Sequence, residues 1–294
     1  MYSDSICLWS RFEMTDARSI EPIVSTAWVA DHRSEEDLVV VDARGPTAYE
    51  NGHIPGAVNA PKWTWMDAEA DLLLTLPDAD DLFETLGSLG IAPDSRVVVV
   101  GSTGDTFDLA DAANAADTLI YAGLDDVAIL DGGHTKWVGE DRPTEEGAVV
   151  PTATEYAGEL DQSMFVMKDE VTSRLADVTL LDTRSPEAYF GAMQEDFTDR
   201  PGHIPGASCL PAAWIWTDEG TFKSPDEFEA LVEGLVGADR SQEMILYCGA
   251  SPFSKSWRYV MQEVLGYENA RVYNGAAQEW TQDPDAPLNR YCWE

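Results

Sequence analysis

The residue of this sequence best suited to covalent chemistry is Cys248, which directly follows a short apolar run, Met244–Tyr247, of the kind that forms a buried strand. Small residues come next, and Ser251 and Pro252 then suit the N-cap and the first position of a helix. This order places a thiol before the positive end of a helix dipole, where a thiolate is stabilised and the pKa of a cysteine falls. We therefore expect Cys248 to be a nucleophile. Inert packing is the alternative, because free cysteine is commonly buried.

The helix that follows Cys248 carries its apolar residues at helical spacing. These residues are Phe253, Trp257, Val260, Met261, Val264 and Leu265. The pattern predicts an amphipathic helix that packs one face into the core and ends at Gly266.

The composition is strongly acidic. The chain has 294 residues, with 54 acidic against 18 basic ones and a net charge of −36. The acids are dispersed along the chain, so the surface lacks the basic footprint that nucleic acids require and we expect no nucleic-acid partner. Because only five of the basic residues are lysines, we interpret the chain as halophilic, since molar salt screens its self-repulsion. A moderately acidic mesophilic protein is the alternative.

Targeting and metal-binding signals are both missing from the sequence. No stretch approaches the ~18 consecutive apolar residues of a membrane span, and residues 1–16 lack a basic flank followed by an apolar run. We expect no membrane association and a cytoplasmic protein.

The cysteines have no Cys-x-x-Cys spacing and the four histidines are scattered, which predicts neither disulfides nor a metal site, and we expect no cofactor. The cysteines are Cys7, Cys209, Cys248 and Cys292.

Strands alternate with helices after a lead-in of about 20 residues. In the first half a buried strand, Leu38–Val41, ends in Asp42-Ala43-Arg44, and Gly52–Ala57 forms a turn. A helix over 79–89, a strand over 96–100, an alanine-rich helix to about residue 122 and a strand over 127–130 follow. This alternation predicts an α/β fold with a parallel sheet.

The same order returns in the second half. Asp182-Thr183-Arg184 repeats the Asp-x-Arg motif, and Gly202–Ala207 repeats the turn Gly-His-Ile-Pro-Gly-Ala letter for letter. The copies lie 140 to 150 positions apart, from Asp42 to Asp182 and from Gly52 to Gly202. We therefore predict a duplicated domain, with a first copy over residues 22–141, a linker over 142–162 and a second copy over 163–294.

The two halves differ in two ways that bear on function. From Asp42 to His53 is 11 positions and from Asp182 to His203 is 21. The second half thus has ten additional residues, around residues 192–200, which we interpret as a surface loop. Where the second half has Cys248, the first has Gly101, so we expect the first copy to be non-catalytic.

With these motifs the sequence resembles the rhodanese family, specifically the two-domain sulfurtransferases that act on thiosulfate or 3-mercaptopyruvate. The resemblance rests on Asp-x-Arg, on the repeated Gly-His-Ile-Pro-Gly-Ala, on Asp-Gly-Gly…Trp in the first half and on one cysteine between strand and helix in the second. It covers residues from about 22 to 282. It implies two tandem rhodanese-like domains, each a mainly parallel sheet flanked by helices, of which the second bears the catalytic cysteine.

The resemblance implies a two-step sulfur transfer. Cys248 takes the sulfane sulfur of a small anionic donor, becomes a persulfide and passes the sulfur to cyanide or a thiol. We expect backbone N–H groups of Gly249, Ala250 and Ser251 to hold the anionic persulfide. Arg184 lies at a position whose arginine binds the anionic donor in thiosulfate-using members, with a structural ion pair as the alternative.

The loop after Cys248 departs from the family pattern. Thiosulfate-type members have Cys-Arg-x-Gly-Val-Thr and mercaptopyruvate-type members Cys-Gly-x-Gly-Val-Thr, whereas this chain has Cys-Gly-Ala-Ser-Pro-Phe. Gly249 matches the mercaptopyruvate form, but Pro252 lacks an N–H and Phe253 replaces a hydroxyl. The side chains expected to compensate are Ser251, Ser254 and Lys255. For Lys255 a solvated first-turn residue is the alternative, and the donor stays open.

The leading hypothesis is a sulfurtransferase enzyme. The alternative is a persulfide carrier that a partner protein loads, and a protein sulfur acceptor is compatible with both. Turnover with a free small-molecule donor distinguishes them. A cysteine-dependent phosphatase is disfavoured, because it needs an arginine six positions after the cysteine and this chain has Ser254 there.

Overall fold

The computed structural model describes residues 18–69 and 72–293. The predictions made on Cys7 and on the start of the chain lie outside these residues. The first half contains β1 Ile23–Val24, α1 Thr26–His32, β2 Leu38–Asp42, α2 Pro46–Glu50, β3 Val58–Asn59, β4 Asp67–Glu69, β5 Leu72–Thr75, α3 Ala79–Ser88, β6 Arg96–Val100, α4 Thr106–Tyr121, β7 Val127–Leu130 and α5 Gly133–Gly139.

The second half repeats this order without the β4–β5 pair. It contains β8 Phe165–Val166, α6 Lys168–Arg174, β9 Thr179–Asp182, α7 Pro186–Tyr189, β10 Ala207–Cys209, α8 Pro225–Val236, β11 Glu243–Tyr247, α9 Pro252–Tyr259, β12 Asn269–Tyr273 and α10 Ala276–Gln282. Short 3-10 turns occur at Lys62–Thr64, Gln162–Met164 and Ala212–Ile215, and a π-helical turn, Val260–Val264, continues α9.

Each half forms one five-stranded parallel sheet. The order is β1-β7-β6-β2-β3 in the first half and β8-β12-β11-β9-β10 in the second, which is the same order with corresponding strands. Helices connect the parallel strands and cover both faces, so central strands such as β6 consist of buried β-branched residues. The predicted α/β architecture of two tandem domains is confirmed.

The repeated Gly-His-Ile-Pro-Gly-Ala turns have the same geometry in both halves. His53 stacks on Tyr49 with 3.9 Å between ring centroids, and His203 stacks on Tyr189 at 3.8 Å. Each histidine Nδ1 also lies within hydrogen-bonding distance, 3.0 Å and 2.8 Å, of the carbonyl oxygen of its tyrosine. Both rings are buried, so they serve the fold in the copy with the thiol and in the copy without it.

Residues 142–162 pack along the first half. Thr154 donates its backbone N–H to the Gly87 carbonyl at 2.9 Å, and the Tyr156 hydroxyl donates to the Ala122 carbonyl at 2.7 Å. This connection is thereby held against α3 and α4 before the chain enters the second sheet.

The two halves share one hydrophobic core. A single cluster of buried residues includes Leu119 of α4 and Trp257 of α9. The rings of Phe107 and Phe253 lie 4.8 Å apart across the same boundary. The Tyr259 hydroxyl donates to the Pro22 carbonyl at 2.6 Å. Helix α9, which follows Cys248, is therefore packed between the halves.

This position corrects the prediction of a helix with one buried face. Residues 254–259 of α9 are all buried, including Lys255 at 1% and Arg258 at 0% exposure, because α4 of the first half covers the polar face. Arg258 forms a buried ion pair there with Asp117 of α4. The predicted helix end at Gly266, which has φ of 72°, is confirmed.

Within residues 18–69 and 72–293, none of the helices combines the length and the apolar character that crossing a bilayer requires. The same residues contain no group of histidine, cysteine or acidic side chains arranged to hold a metal ion.

Candidate active site

Cys248 lies at the carboxyl edge of the second sheet. It follows β11, whose last residue, Tyr247, pairs with Asp182 at the end of β9. Helix α10 holds the loop that begins at Cys248. The backbone N–H groups of Ala277 and Gln278 donate to the carbonyls of Cys248 and Gly249 at 2.9 and 3.0 Å, respectively. The parallel order of the strands thus brings the Asp-x-Arg motif and the cysteine loop to one edge.

The sulfur of Cys248 is almost fully enclosed, with 1% of the residue exposed. Backbone N–H groups of Ser254 and Ala250 point at it, and Ser254 Oγ lies 3.8 Å from Sγ. Burial nevertheless raises the pKa of the thiol above its ordinary value, and the nearby Glu195 carboxylate raises it further. The expectation of a lowered pKa is therefore wrong, because desolvation outweighs the N–H groups of the helix start.

Ser251 bends the loop sharply. Its backbone has φ of 86° and ψ of −44°, a conformation that is strained for a residue with a side chain. Its hydroxyl is buried and has no hydrogen-bond partner among the described residues. Ser251 precedes α9 as predicted, but it does not cap the helix through its side chain. The bend instead lies between the two residues whose backbone N–H groups point at the sulfur, Ala250 and Ser254.

Arg184 is held in an ion pair beside the cavity. Its Nη2 donates to Asp182 Oδ2 at 2.6 Å and to the Gly202 carbonyl at 2.8 Å, and the residue is 2% exposed. Arg44 makes the same contacts with Asp42 at the same two distances in the half that lacks the thiol. The repeated geometry favours the structural alternative, and Arg184 is not among the residues that line the cavity above Cys248.

Lys255 points away from the cavity, into the boundary between the halves. Its Nζ donates to Thr118 Oγ1 of α4 at 3.2 Å. Burial lowers the pKa of Lys255 to about 8, and the carboxylate of Asp117 opposes this shift. Lys255 is thus not solvated and does not line the cavity, but it lies close enough to Cys248 for the thiolate to raise its pKa.

A cavity of about 340 Å³ opens above Cys248. Its walls are almost entirely apolar, and Lys62 and Glu195 are its only charged residues among those described. Both halves of the chain contribute. The lining residues are Lys62, Trp63, Ala68, Leu73, Leu74, Phe107, Glu195, Phe197, Cys248, Gly249, Ala250, Pro252 and Phe253.

The ten additional residues of the second half form one wall of this cavity. A methyl group added to Gly249 would lie 2.7 Å from both carboxyl oxygens of Glu195 and from Phe197 Cε2. Glu195 Oε2 also lies 3.5 Å from Arg184 Nη1. Burial raises the pKa of Glu195, and Arg184 opposes the shift. The segment is an irregular and largely exposed loop, as predicted, and its residues Glu195 and Phe197 in addition line the cavity beside Cys248.

The β4–β5 pair of the first half forms the opposite wall. Gln278 of α10 accepts the Leu73 backbone N–H at 2.9 Å and donates to the Leu74 carbonyl at 3.3 Å. These bonds fasten the pair to the helix that also supports the Cys248 loop. The half without a thiol thus completes the enclosure.

Gly101 occupies the position that corresponds to Cys248. A methyl group there would lie 2.8 Å from Ala112 Cβ of α4, so this loop has no room for a side chain. Burial lowers the pKa of His134, beside it, to about 4. The first copy therefore has neither the nucleophile nor the space for one.

The geometry brings some predicted residues together and separates others. Gly249, Ala250 and Ser254 surround the sulfur or the cavity, whereas Arg184 and Lys255 turn away. Sequence reasoning missed the wall residues Glu195, Phe197, Leu73, Leu74 and Phe107. For the first two a signal existed, because the interval between the Asp-x-Arg motif and the turn is ten residues longer in the second half. The arrangement places a buried thiol in the wall of a small, mostly apolar cavity.

The other described cysteines lie elsewhere. Cys209 is half-buried in β10, and burial raises its pKa to about 12. Cys292 is exposed near the end of the chain.

Comparisons with known proteins agree with this architecture. The sequence model of a family described as "Rhodanese-like domain" matches residues 25–140 and 167–283. A protein of Mycolicibacterium smegmatis named "Putative thiosulfate sulfurtransferase" is 34% identical over 281 residues, which are 92% of this chain and 98% of that protein. The "Sulfur carrier protein TtuD" of Thermus thermophilus is 32% identical over 284 residues, 91% of this chain and 96% of that protein. The crystal structure of YnjE, 24% identical, has a TM-score of 0.81 over 92% of this chain and 68% of its own, which shows the fold.

Proposed function

The chain belongs to the rhodanese-like family of sulfurtransferases, and on that premise we propose that Cys248 carries sulfur as a persulfide from a small donor, thiosulfate or 3-mercaptopyruvate, to cyanide or a thiol. The observation that supports this most directly is the position of the Cys248 sulfur. It is buried in the wall of a 340 Å³ cavity, with backbone N–H groups of Ala250 and Ser254 directed at it.

The proposed reaction has two steps. In the first, the thiolate of Cys248 attacks the outer sulfur of thiosulfate, the sulfur–sulfur bond of the donor breaks, and sulfite leaves with the bonding electron pair. With 3-mercaptopyruvate the carbon–sulfur bond breaks instead, and the proton of the donor thiol ends on carbon 3 of pyruvate. In the second step cyanide attacks the outer sulfur of the persulfide and leaves as thiocyanate, which restores the thiolate.

The loop residues have separate proposed roles. The N–H groups of Ala250 and Ser254 stabilise the negative persulfide sulfur, and the bend at Ser251 lies between them. Gly249 lets the side chains of Glu195 and Phe197 lie against the loop, where a Cβ would be 2.7 Å from each of them. Arg184 and Lys255 act as positioning residues, the first by bracing the Asp-x-Arg turn through Asp182 and the second by fixing α9 on α4.

The test is persulfide formation followed by turnover. Wild-type protein is incubated with each donor, and its intact mass is expected to increase by one sulfur atom, which cyanide then removes as thiocyanate. Cys248→Ser abolishes both results. Cys209→Ser, which changes a half-buried thiol that does not line the cavity, is the matched control and retains them. Wild-type protein that gains no sulfur from either donor would contradict the proposal.

A persulfide carrier is the second candidate. The enclosure of Cys248 favours it, since a buried thiol protects a bound sulfur from other thiols, and one relative of this chain is named a sulfur carrier protein. The same experiment separates the two. A carrier takes up one sulfur atom per chain but turns over slowly with free donors, whereas an enzyme produces many equivalents of thiocyanate.

A further inference from the structure

Glu195 is a carboxyl group in the wall of a cavity in which the proposed function requires an anionic donor. The ten additional residues of the second half carry it to a point where both of its oxygens would be 2.7 Å from a methyl group on Gly249. It is therefore adjacent to the residue that follows the nucleophile. Its Oε2 has no hydrogen-bond partner among the described residues.

The cations near Glu195 are each shared with another carboxylate or lie outside the cavity lining. Arg184 is paired with Asp182 at 2.6 Å and only then with Glu195 at 3.5 Å, so one guanidinium faces two carboxylates. Lys255 lies on the far side of the loop, against Thr118. Lys62 lies in the cavity wall, where it is partly exposed and 3.6 Å from Asp111.

The rest of the wall suits an apolar body. Leu73 and Leu74 of the first half face Phe107, Phe197 and Phe253 across the cavity. Thiosulfate is small, strongly hydrated and doubly charged, so it gains nothing from such a surface and loses its water on entry. A donor with one charge and an apolar group next to the reacting sulfurs fits both the charge and the lining.

We propose that Glu195 is a specificity-determining residue, which makes this site select singly charged sulfur donors with an apolar body over the dianion thiosulfate. The inference rests on the proposed function, because it concerns the first step of the same reaction. A donor of this class is an organic thiosulfonate. The thiolate of Cys248 attacks its outer sulfur, the sulfur–sulfur bond breaks, and a sulfinate leaves with the electron pair, so that the charge and the atoms balance without an oxidant.

The test compares three donors with cyanide as acceptor at pH 8. Thiosulfate has two charges, methanethiosulfonate has one charge and a small body, and benzenethiosulfonate has one charge and an aromatic body. Wild-type kcat/KM is expected to fall in the order benzenethiosulfonate, methanethiosulfonate, thiosulfate. In Glu195→Gln, which keeps the shape of the side chain, the preference for methanethiosulfonate over thiosulfate is expected to decrease about tenfold or more, because a like charge at close range is removed.

Asp196→Asn is the matched control. It removes the same charge from the neighbouring residue of the same segment, whose side chain is exposed, and it is expected to leave the donor preference unchanged. Thermal unfolding of all variants and a second variant, Glu195→Ala, separate a change in specificity from a loss of the fold.

Two results would overturn the inference. One is a wild-type protein that uses thiosulfate at least as well as methanethiosulfonate. The other is a Glu195→Gln variant that loses activity with every donor by the same factor or keeps the wild-type preference. Failure of the proposed function has a different signature, which is that no donor places a sulfur atom on Cys248 in wild type or in either variant.

Discussion

The buried ion pair between Asp117 and Arg258 is expected to stabilise the whole molecule, and Asp117→Asn tests it. Both residues are 0% exposed, and the Arg258 Nε donates to Asp117 Oδ1 across the boundary between α4 and α9. Asparagine keeps the size of the side chain and removes its charge. The variant therefore leaves the guanidinium, and the Lys255 ammonium nearby, without this counter-ion.

The size of the effect follows from what remains around Arg258. Removing one member of a buried pair costs about 3–5 kcal/mol, because the other charge stays buried and uncompensated. Glu263 Oε1, at 3.7 Å from Arg258 Nη2, and Gln262, at 2.6 Å from Nη1, persist in the variant. We therefore expect the lower end, about 3 kcal/mol, which corresponds to a fall in Tm of about 5 °C for a chain of this size.

Urea unfolding followed by tryptophan fluorescence measures this loss, since Trp257 of α9 is fully buried. The control is Glu84→Gln, which neutralises an exposed carboxylate of α3 and is expected to change the free energy of unfolding by less than about 0.5 kcal/mol. The double variant Asp117→Leu with Arg258→Met replaces both charges by apolar groups. It is expected to be more stable than Asp117→Asn, because no arginine is left unpaired.

Two outcomes would refute this reasoning. One is an Asp117→Asn variant that lowers the free energy of unfolding by no more than Glu84→Gln does. The other is a double variant whose loss of stability equals the sum of the losses in the two single variants. Either result would mean that the boundary is hydrated and that the charges do not interact through a dry interior.

Three further predictions follow from the same structure. The rate at which iodoacetamide alkylates Cys248 should increase about tenfold per pH unit from pH 7 to 9, because burial raises the pKa of this thiol above the ordinary 9.0. Mass spectrometry of the Cys248 peptide measures this rate, and a rate that stops increasing below pH 8 would contradict the prediction. Gly101→Cys should cost about 1–3 kcal/mol in urea unfolding, since its Cβ would lie 2.8 Å from that of Ala112, and in a Cys248→Ser background it should gain no persulfide by intact mass. Lys255→Met should lose about 2–3 kcal/mol of its stability relative to wild type between pH 8 and 10.5. The reason is that the folded-state pKa of about 8 lies below the unfolded value of 10.5, so wild type becomes more stable as this buried lysine loses its proton; unfolding curves that differ by a constant amount across this range would disprove it.

The fold was largely predictable because its signals are local and repeated. Buried strands contain continuous runs of β-branched residues, as in the four valines of β6, and the turn Gly-His-Ile-Pro-Gly-Ala has the same sequence in both halves. Each copy therefore supported the interpretation of the other. The placement of Cys248 between a strand and a helix was predictable for the same reason, since both elements have recognisable ends.

The environment of Cys248 was not predictable, because it is made by segments far away in the chain. The periodicity of α9 shows its apolar face but cannot show that α4 buries the opposite face, so Lys255 was expected to be solvated or to contact the ligand. The raised pKa of Cys248 depends on enclosure by β4–β5 and by the Glu195 segment. A length difference located that segment without showing which way it folds. The interpretation of the acidic composition as halophilic stays a prediction.

The wall that Leu73 and Leu74 provide has a consequence for how this duplicated chain can change over time. In a duplicated protein, a copy that has no reactive residue can usually accumulate substitutions or be deleted without loss of activity. Here the first copy supplies part of the cavity at Cys248 of the second copy, and Gln278 fastens it there. Selection is therefore expected to act on the two copies together. A shortened gene that encodes only the second copy would produce a protein in which Cys248 is exposed to water and to other thiols.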